Sequence, residues 1–262
     1  MSISKINNEE LKMIHMLHTM KQIKRMFNNC DGLLIVAGTE MSSESGLTNV
    51  DSLYSIFEFL QEPISSWKYI CHNFDLYRNT EPHHGFKILQ HLGNQFEQGC
   101  FVVTSNFDGQ FQKAGFDAEK IYEVNGNFNW SQCSIPCSSE LVPTPIFDYQ
   151  NDVDYIPKCH ICGAVLRPNT QLHIDNAWNS KLFDSQKSKF KNWTNQCKNI
   201  LCIEIGADAS NSSLRIISEQ FFKNLIRINP KDFKHSHPNV ISLPLKAKFG
   251  IDLIQYAIQE FE

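Results

Sequence analysis

The stretch FVVTSNFDGQFQKAG, Phe101–Gly115, decides the fold that this sequence predicts. It begins with a short apolar run that favours a buried strand, and Thr104–Gly109 ends the run with side chains typical of turns. Open α/β sheets bind their ligands at the carboxyl ends of such strands. The stretch therefore predicts a buried strand that places Asn106 and Asp108 beside a ligand site.

Four cysteines downstream are spaced as two metal-binding knuckles. Cys133 and Cys137 form a C-x3-C pair, and Cys159 and Cys162 form a C-x2-C pair that Gly163 follows. The short spacing lets both sulfurs of a pair face one ion, and four thiolates complete the tetrahedron that Zn²⁺ prefers. The spacing predicts a structural zinc with no open coordination position, in preference to four unrelated buried cysteines.

Composition restricts the class of protein. The chain has 262 residues, 42% of them hydrophobic, which suffices for one large domain with an insertion or for two domains. Its net charge of −4 and the lack of a dominant Lys or Arg run disfavour a general binder of nucleic acid or of anionic membranes. The cysteines outside the knuckles lie mostly in apolar segments, as reduced core cysteines do. With no signal-peptide core and no apolar run of about 20 residues, we expect a cytoplasmic or nuclear location.

Apolar periodicity predicts that strands and helices alternate along the rest of the chain. Asn8–Phe27 has the pattern of a helix that Asn8 caps and that covers one face of the sheet. Its apolar residues at helical spacing are Leu11, Ile14, Leu17 and Ile23. The other predicted elements are a strand at Leu33–Ala37, a strand at Asn199–Gly206, a helix at Leu214–Lys223, a strand at Asn224–Pro230, and a short strand within Val240–Gly250 before a last helix.

The order and spacing of these motifs resemble those of the sirtuins, the NAD-dependent protein-lysine deacylases. The resemblance rests on Thr104–Gly109, Ala114–Gly115, Val124–Gly126, the four cysteines and Cys162–Pro168. Gly38–Leu47 is also similar to the family's first loop, usually Gly-Ala-Gly-Ile/Met-Ser, two residues, then Ser-Gly-Ile. In that loop the glycines let the backbone approach the pyrophosphate. The resemblance implies NAD as a cofactor beside the structural zinc.

The expected fold is α/β: a doubly wound parallel, Rossmann-like sheet with an inserted helical module and an inserted zinc module held by the four cysteines. We assign residues 1–48, 93–125 and 176–262 to the Rossmann-like domain. The helical module then takes residues 49–92 and the zinc-binding module residues 126–175. The resemblance implies an active cleft between these parts.

The resemblance also assigns roles to individual residues. It implies cofactor contacts by Gly38, Ser45, Gly46, Asn106, Asp108, Gly206 and Asn229. It places Asn106, Asp108 and Asn125 at the reacting centre. For Asn106 and Asp108 the alternative is a purely structural role as turn residues at a strand end.

The sequence departs from the sirtuin pattern where the chemistry occurs. Asn125 stands in place of the family's catalytic His, and an amide cannot accept a proton near neutral pH, so a base typically worth ~10²–10⁴ in rate is lost. Glu40 replaces the second glycine of the first loop, where a carboxylate near a pyrophosphate costs Coulomb energy unless it turns outward. Thr48–Asp51 replaces Pro-Asp-Phe-Arg, and His173–Asp175 replaces the Phe-Gly-Glu that clasps the acyl-lysine peptide.

Three functions remain open from the sequence. The first is a divergent sirtuin-like protein that binds NAD, an ADP-ribose-type ligand or a protein or peptide partner with little or no deacylase turnover. The second is an active NAD-dependent enzyme, either a protein-lysine deacylase, an ADP-ribosyltransferase or an NAD hydrolase. In that case His173 could serve as a displaced general base, the alternative being a plain surface residue. The third is a scaffold whose zinc module binds partner proteins.

Overall fold

The computed structural model describes residues 7–47, 55–145, 147, 149, 151, 155–208 and 212–260. The departure at Thr48–Asp51 lies outside the described residues. The helices and strands are α1 (Asn8–Asn28), β1 (Gly32–Ala37), α2 (Thr39–Ser43), α3 (Ile56–Gln61), α4 (Pro63–Asn79), α5 (His84–Gly93), β2 (Cys100–Thr104), α6 (Gln110–Lys113), β3 (Ile121–Glu123), β4 (Gly126–Cys133), β5 (Val142–Pro143), β6 (Leu166–Thr170), α7 (Lys181–Gln196), β7 (Ile200–Ile205), α8 (Ser212–Ser218), β8 (Leu225–Ile228), β9 (Ile241–Leu243) and α9 (Ala247–Glu260). Short 3₁₀ helices lie at Ala118–Lys120 and Glu219–Asn224.

A six-stranded sheet forms the centre of the large lobe, in the order β3-β2-β1-β7-β8-β9. All neighbouring strands in it run parallel. β1 reads GLLIVA and is buried along its whole length, as expected for a parallel strand covered on both faces. The chain builds outward from β1 to β2 on one side and later to β7 on the other. This arrangement confirms the doubly wound parallel sheet that the sequence predicted.

Helices cover both faces of this sheet. Leu33 and Ile35 of β1 enter a core that α1, α5 and α9 complete, whereas Leu34 and Val36 enter the core on the side of α7 and α8. Fully burying one such side chain contributes about 1.5–3 kcal/mol. The alternation of β1 side chains between two apolar layers explains why its sequence is apolar throughout rather than at every second residue.

α1 packs on the sheet through its second half. Its N-cap is Asn7 rather than Asn8, because the Asn7 side chain accepts hydrogen bonds from two backbone N–H groups of the first turn. Ile23 is buried, as predicted. The exposed fractions of the other three apolar positions are 50% for Leu11, 52% for Ile14 and 41% for Leu17. The prediction that they cover the sheet was wrong: Leu11 lines a groove between this half of α1 and β9, and Ile14 and Leu17 lie outside that groove on the exposed surface of the helix.

The predicted helix at Leu214–Lys223 is α-helical only as far as Ser218. From Glu219 it continues as a 3₁₀ helix, within which Phe221 has non-helical angles of φ −106° and ψ 23°. The residues of this second part lead directly into β8 at Leu225. The tighter turn therefore serves to connect the helix to the strand.

The helical and zinc modules pack together as a second lobe. β4, β5 and β6 form an antiparallel sheet in the order β5-β4-β6. Ile56 of α3 and Trp67 of α4 share one core with Cys133 and Leu166 of this sheet. The indole Nε1 of Trp67 also donates to the Leu166 carbonyl at 2.8 Å. The two modules thus bury a common apolar core.

α5 belongs with the large lobe by its packing. The expected boundary between residues 92 and 93 divides this helix, yet Phe86 and Leu89 lie in the core of the six-stranded sheet. We therefore propose that residues 84–93 form part of the large lobe. The second lobe would then consist of α3, α4 and the zinc-bearing sheet.

Candidate functional site

Polar loops meet at the carboxyl edge of the large sheet, where β1 lies between β2 and β7. The loops after β1, β2 and β7 carry Gly38, Asn106 and Gly206, and Asn229 follows β8. This edge is the switch point of the sheet, where open α/β folds bind ligands. Asn125 stands between β3 of the large sheet and β4 of the second lobe.

Ser42, Asn106 and Asp108 form a hydrogen-bonded group, which we name the strand-end cluster. Asn106 Nδ2 donates to Ser42 Oγ and to the Gly38 carbonyl oxygen, both at 3.0 Å. The Ser42 hydroxyl bonds to the Asp108 carboxylate, which also accepts from the Gln110 N–H at 3.0 Å. Ser42 and Asn106 are buried, whereas Asp108 is half-buried. Asp108 is therefore the member of the cluster that reaches solvent.

Two features of the strand-end cluster favour a binding role over a purely structural one. Asn106 Oδ1 is buried and has no partner among the described residues, and buried amide oxygens are rarely left unpaired. Burial raises the pKa of the Asp108 carboxyl, although the hydrogen bonds from Ser42 and Gln110 oppose that rise. A residue that only ends a strand needs neither feature.

Sequence reasoning selected Ser45 and passed over Ser42. Ser45 Oγ accepts from the His83 N–H at 3.0 Å, so it ties the first loop to α5. Gly46, also predicted to contact the cofactor, has φ 94°. This backbone conformation favours glycine, so the turn alone accounts for a glycine at this position. The signal for Ser42 was present, since the serine of the family's Gly-Ala-Gly-Ile/Met-Ser pattern falls on this position.

Asn125 is half-buried, and both its side chain and its backbone carbonyl are hydrogen-bonded. Its Nδ2 donates to the Ser105 carbonyl at 3.2 Å, and its own carbonyl accepts from the Gln171 N–H at 2.9 Å. The following Gly126 has φ 76°, and a Cβ there would lie 2.0 Å from the Asn169 oxygen. The amide therefore lies next to the segment that carries the strand-end cluster, but it supplies no titratable group.

Glu40 packs against Gly206 where the loops after β1 and β7 meet. A Cβ on Gly206 would lie 2.1 Å from Glu40 Cβ, and a Cβ on Gly38 would lie 2.3 Å from the Gly206 oxygen. Gly206 itself has φ 60°, so two separate constraints require glycine there. The two loops are consequently in direct contact at the switch point of the sheet.

The Asn229 side chain forms hydrogen bonds with the two loops that flank it. Its Nδ2 donates to the Ala207 carbonyl at 3.0 Å, and its Oδ1 accepts from the N–H groups of Lys231 and Asp232 at 2.9 and 2.8 Å. These bonds join the loop after β7 to the turn after β8. Asn229 thus shapes the edge of the predicted cofactor site.

A buried carboxylate near this edge, that of Glu123, was missed by sequence reasoning. Its Oε1 accepts from Gln112 Nε2 at 2.8 Å, and its Oε2 accepts from Asn127 Nδ2 at 2.6 Å and Gln186 Nε2 at 3.2 Å. Burial raises the pKa of Glu123, against the opposing effect of these amide donors. Because its amide partners lie on α6, β4 and α7, no local pattern could have indicated this network.

The loop His173–Asp175 contains a residue in the left-handed backbone conformation, although it has no glycine. Ile174 has φ 56°, a left-handed conformation that is unfavourable for a β-branched residue, and it occupies the glycine position of Phe-Gly-Glu. Asp175 and Arg167 form a fully buried ion pair with a 2.7 Å contact. His173 is exposed and pairs with Ser55 through a backbone bridge. Its service as a displaced base stays a prediction.

The four knuckle cysteines converge. Their sulfur atoms all lie within 4.8 Å of one another, with Cys133 to Cys162 at 3.5 Å and Cys137 to Cys159 at 3.6 Å. Backbone N–H groups of the second knuckle point at the Cys159 sulfur and lower its pKa to about 6, which favours the thiolate. Four sulfur donors around one point fit tetrahedral Zn²⁺.

Comparison with known proteins identifies the family of this chain. The model of the Sir2 family matches residues 39–208, more than half of the chain. An NAD-dependent protein deacylase of Aquifex aeolicus is 28% identical over 149 residues, 52% of this chain and 59% of that protein. A probable bifunctional ADP-ribose hydrolase/ADP-ribosyltransferase of Fusarium oxysporum f. sp. cubense is 24% identical over 219 residues, 70% of this chain and 36% of that protein. The match covers less than two thirds of the length of either relative.

A solved structure shares the fold. It is a Sir2 homologue with a histidine-to-asparagine substitution in complex with ADP-ribose, at a TM-score of 0.67 and 19% identity, covering 93% of this chain and 95% of the other. None of the helices in the described ranges is long and apolar enough to cross a membrane. The family match and the shared two-lobed architecture agree, and this chain is a member of the Sir2 family, the sirtuins.

Proposed function

We propose that this chain binds NAD or an ADP-ribose-type ligand in the cleft between the large sheet and the zinc-bearing lobe, with little or no deacylase turnover. Asn125 carries the proposal. Its amide donates to the Ser105 carbonyl beside the strand-end cluster, at the position where the sirtuin pattern has a histidine base. An amide there can hydrogen-bond a ribose hydroxyl but cannot remove its proton.

The neighbouring titratable groups His83 and Glu123 do not take the place of the histidine base that Asn125 replaces. His83 engages both ring nitrogens, Nε2 at 2.9 Å from the Met41 carbonyl and Nδ1 at 3.1 Å from the Gly85 N–H, so it is held as a neutral structural residue. Glu123 is 2% exposed and enclosed by amide donors. Asp108 and Glu40 are half-buried carboxylates at this edge, and Asp108 is the one that belongs to the strand-end cluster.

Ligand binding is supported by the geometry and by the relatives. The unpaired Asn106 Oδ1 is an acceptor that awaits a donor, and Ser42 and Asp108 lie within the same hydrogen-bonded group. The Aquifex relative is named as NAD-dependent, and a solved family member with a histidine-to-asparagine substitution holds ADP-ribose. When bound, NAD would supply an ADP-ribosyl group, with nicotinamide as the leaving group. The knuckle cysteines would hold zinc and stabilise the lobe that faces this site.

The test is to incubate the purified protein with NAD, with and without an acetyl-lysine peptide, and to follow nicotinamide and deacetylated peptide by mass spectrometry. We expect no deacetylated peptide, or a rate at least about a hundredfold below that of a sirtuin with the histidine. Rapid peptide-dependent deacetylation would overturn the proposal. A sirtuin that has the histidine serves as the positive control.

A second candidate function is NAD hydrolysis or ADP-ribosyl transfer, and Asp108 favours it. Nicotinamide departure needs no base on the ribose, and the Fusarium relative carries a name of this class. Asp108 is half-buried, and burial raises the pKa of its carboxyl above that of an exposed aspartate. Nicotinamide release without peptide that rises with pH and loses this dependence in Asp108→Asn would support this function; a flat profile in both proteins would exclude this role of Asp108.

A stability measurement checks the charge state of Asp108 independently. Its pKa is raised in the folded protein, so the stability it contributes is present below its unfolded pKa of about 4 and is lost as pH rises through the folded value. Asp108→Asn should therefore gain stability relative to the wild type near pH 7 and lose that gain near pH 4. Urea denaturation at the two pH values measures this difference.

A further inference from the structure

A groove of about 970 Å³ runs between α1 and the edge strand β9. We name it the α1–β9 groove; Leu11 and Met16 line it from α1, and Leu243, Leu245 and Leu253 line it from the side of β9 and α9. Leu11 and Met16 are 50% and 53% exposed. None of its lining residues belongs to the site described above. Large exposed apolar side chains in a concave surface mark a place of interaction.

One wall of the groove is the open edge of the sheet. The Leu243 carbonyl accepts from the Asn229 N–H at 3.1 Å, so the backbone of Leu243 faces β8. Successive residues of a strand direct their backbone groups to opposite sides, so the N–H and C=O of Ser242 face away from β8, toward the groove. An edge of this kind is a template for another strand.

The ionisable residues that line the groove are all basic. Lys12, His15 and His18 line it, and no acidic residue does so among the described residues. The chain as a whole has a net charge of −4. The groove therefore favours a partner with acidic side chains, in contrast to the rest of the protein surface.

We propose that the α1–β9 groove binds an extended acidic peptide segment of a partner protein, which adds to β9 as a further strand. One peptide residue would exchange hydrogen bonds with the backbone of Ser242, its neighbours would place apolar side chains against Leu11 and Met16, and a carboxylate would lie near Lys12. A strand satisfies the backbone groups at the sheet edge, whereas a helix has no free backbone groups to offer them. Because β9 has three residues and Pro244 follows it, the pairing would be short.

The experiment is a selection of random ten-residue displayed peptides on the purified full-length chain. The selected peptides are then synthesised, and their Kd values are measured by fluorescence anisotropy. We expect sequences in which apolar residues alternate with others and which carry Asp or Glu. Met16→Glu should weaken binding by about tenfold or more, because it places a carboxylate in the apolar wall and repels the acidic peptide. Ile14→Glu is the matched control, since Ile14 is an exposed residue of α1 outside the groove.

Ser242→Pro tests the strand pairing itself. It removes the N–H that faces the open edge, a change that edge strands tolerate, and should weaken binding by about fivefold for one lost hydrogen bond. Ser242→Ala keeps the N–H and should bind as the wild type does. Lys12→Glu, on the surface, gives a second test that does not depend on the strand. Thermal unfolding of each variant confirms that it is folded.

Three results would overturn the proposal. The first is selection that yields no peptide whose binding Met16→Glu weakens. The second is selected peptides with helical apolar spacing that bind Ser242→Pro as well as the wild type. The third is a self-association of the wild-type chain, seen by sedimentation, that Met16→Glu abolishes and Ile14→Glu does not, because the occupant would then be a second copy of this chain.

Discussion

The carboxyl ends of β2 and β7 flank the same strand, β1, yet they are finished in different ways. After β2, Asn106 and Asp108 meet Ser42 in a side-chain cluster, with Asn106 Oδ1 buried and unpaired among the described residues. After β7, Gly206 lies so close to Glu40 that a Cβ on the glycine would be 2.1 Å from Glu40 Cβ. One side offers polar groups to a ligand, and the other fills the crevice with its own chain.

The difference separates two parts of a dinucleotide site. A compact polar cluster suits a small group such as a carboxamide or a ribose hydroxyl, whereas the glycine-lined loop of the family lets the backbone approach a pyrophosphate. We therefore expect the part of the site at β2 to be retained and the part at β7 to be weakened.

Loss of the metal should have the largest effect, because it dismantles the lobe that faces the β2 end. β4 begins directly after Asn125 and ends at Cys133, so zinc bound by the four cysteines would hold the far end of this strand. We expect about one zinc per chain, and Cys133→Ser or chelation should cost several kcal/mol, given that structural zinc contributes roughly 10–16 kcal/mol in small domains. Elemental analysis and thermal unfolding measure both.

Cys30→Ser is the matched control for the metal, since Cys30 lies outside the sulfur cluster. It should retain zinc and stability. Protein purified without chelator that contains no zinc, or a disulfide between Cys133 and Cys137, would contradict the assignment.

Restoring the histidine should not restore the enzyme. Asn125→His returns a base at the β3 end, but Glu40 still fills the crevice at β7, so deacetylation should stay at least about a hundredfold below that of a sirtuin with an intact site. The double variant Asn125→His, Glu40→Gly should exceed either single one. Full deacetylation by Asn125→His alone would show that the crevice is no obstacle.

Opening the crevice should strengthen ligand binding. Glu40→Gly removes both the side chain that contacts Gly206 and a negative charge, and we expect ADP-ribose to bind about tenfold tighter. Glu40→Gln is the informative control, because it removes the charge and leaves the crevice filled. Calorimetry at low and high salt separates the two contributions, since screening weakens only the electrostatic one. An unchanged Kd in Glu40→Gly would mean that Glu40 is harmless to the ligand.

The smallest effect concerns the second lobe. Ile174→Gly relieves a left-handed conformation that costs a β-branched residue roughly 1–2 kcal/mol, and the greater freedom of glycine in the unfolded chain offsets part of the gain. Because Ile174 is 62% exposed, little packing is lost, and we expect a net stabilisation of up to about 1 kcal/mol in urea denaturation. Ile174→Ala should show no gain. Clear destabilisation by Ile174→Gly would indicate that this side chain packs in the folded protein.

Local patterns predicted the parts of this protein that depend on neighbouring residues. The apolar run at Leu33–Ala37 became β1, and the spacing of the four cysteines became a converging sulfur cluster. The order of motifs also led to the correct family. For the strand and for each cysteine pair, the physical cause lies within a few residues of sequence, so a local pattern can reveal it.

Contacts between distant segments could not be predicted in the same way. The cage around Glu123 and the contact of Glu40 with Gly206 join elements far apart in sequence, and no spacing rule relates them. For α1, periodicity identified apolar residues at helical spacing but could not tell that only Ile23 among them would be buried against the sheet. Ser42 differs, because the family pattern contained it and Ser45 was chosen instead.

The measurement that tests the proposed ligand site most directly is calorimetric titration of ADP-ribose into the wild type and into Asn106→Ala. We expect saturable binding by the wild type and a loss of about tenfold or more in Asn106→Ala, because that change removes the orphan acceptor and the two bonds that hold Ser42 and the Gly38 carbonyl. Asn125→Ala should weaken binding less, because the Asn125 amide can offer the ribose only a single hydrogen bond. No saturable heat at millimolar ADP-ribose, or equal binding by Asn106→Ala, would contradict the account.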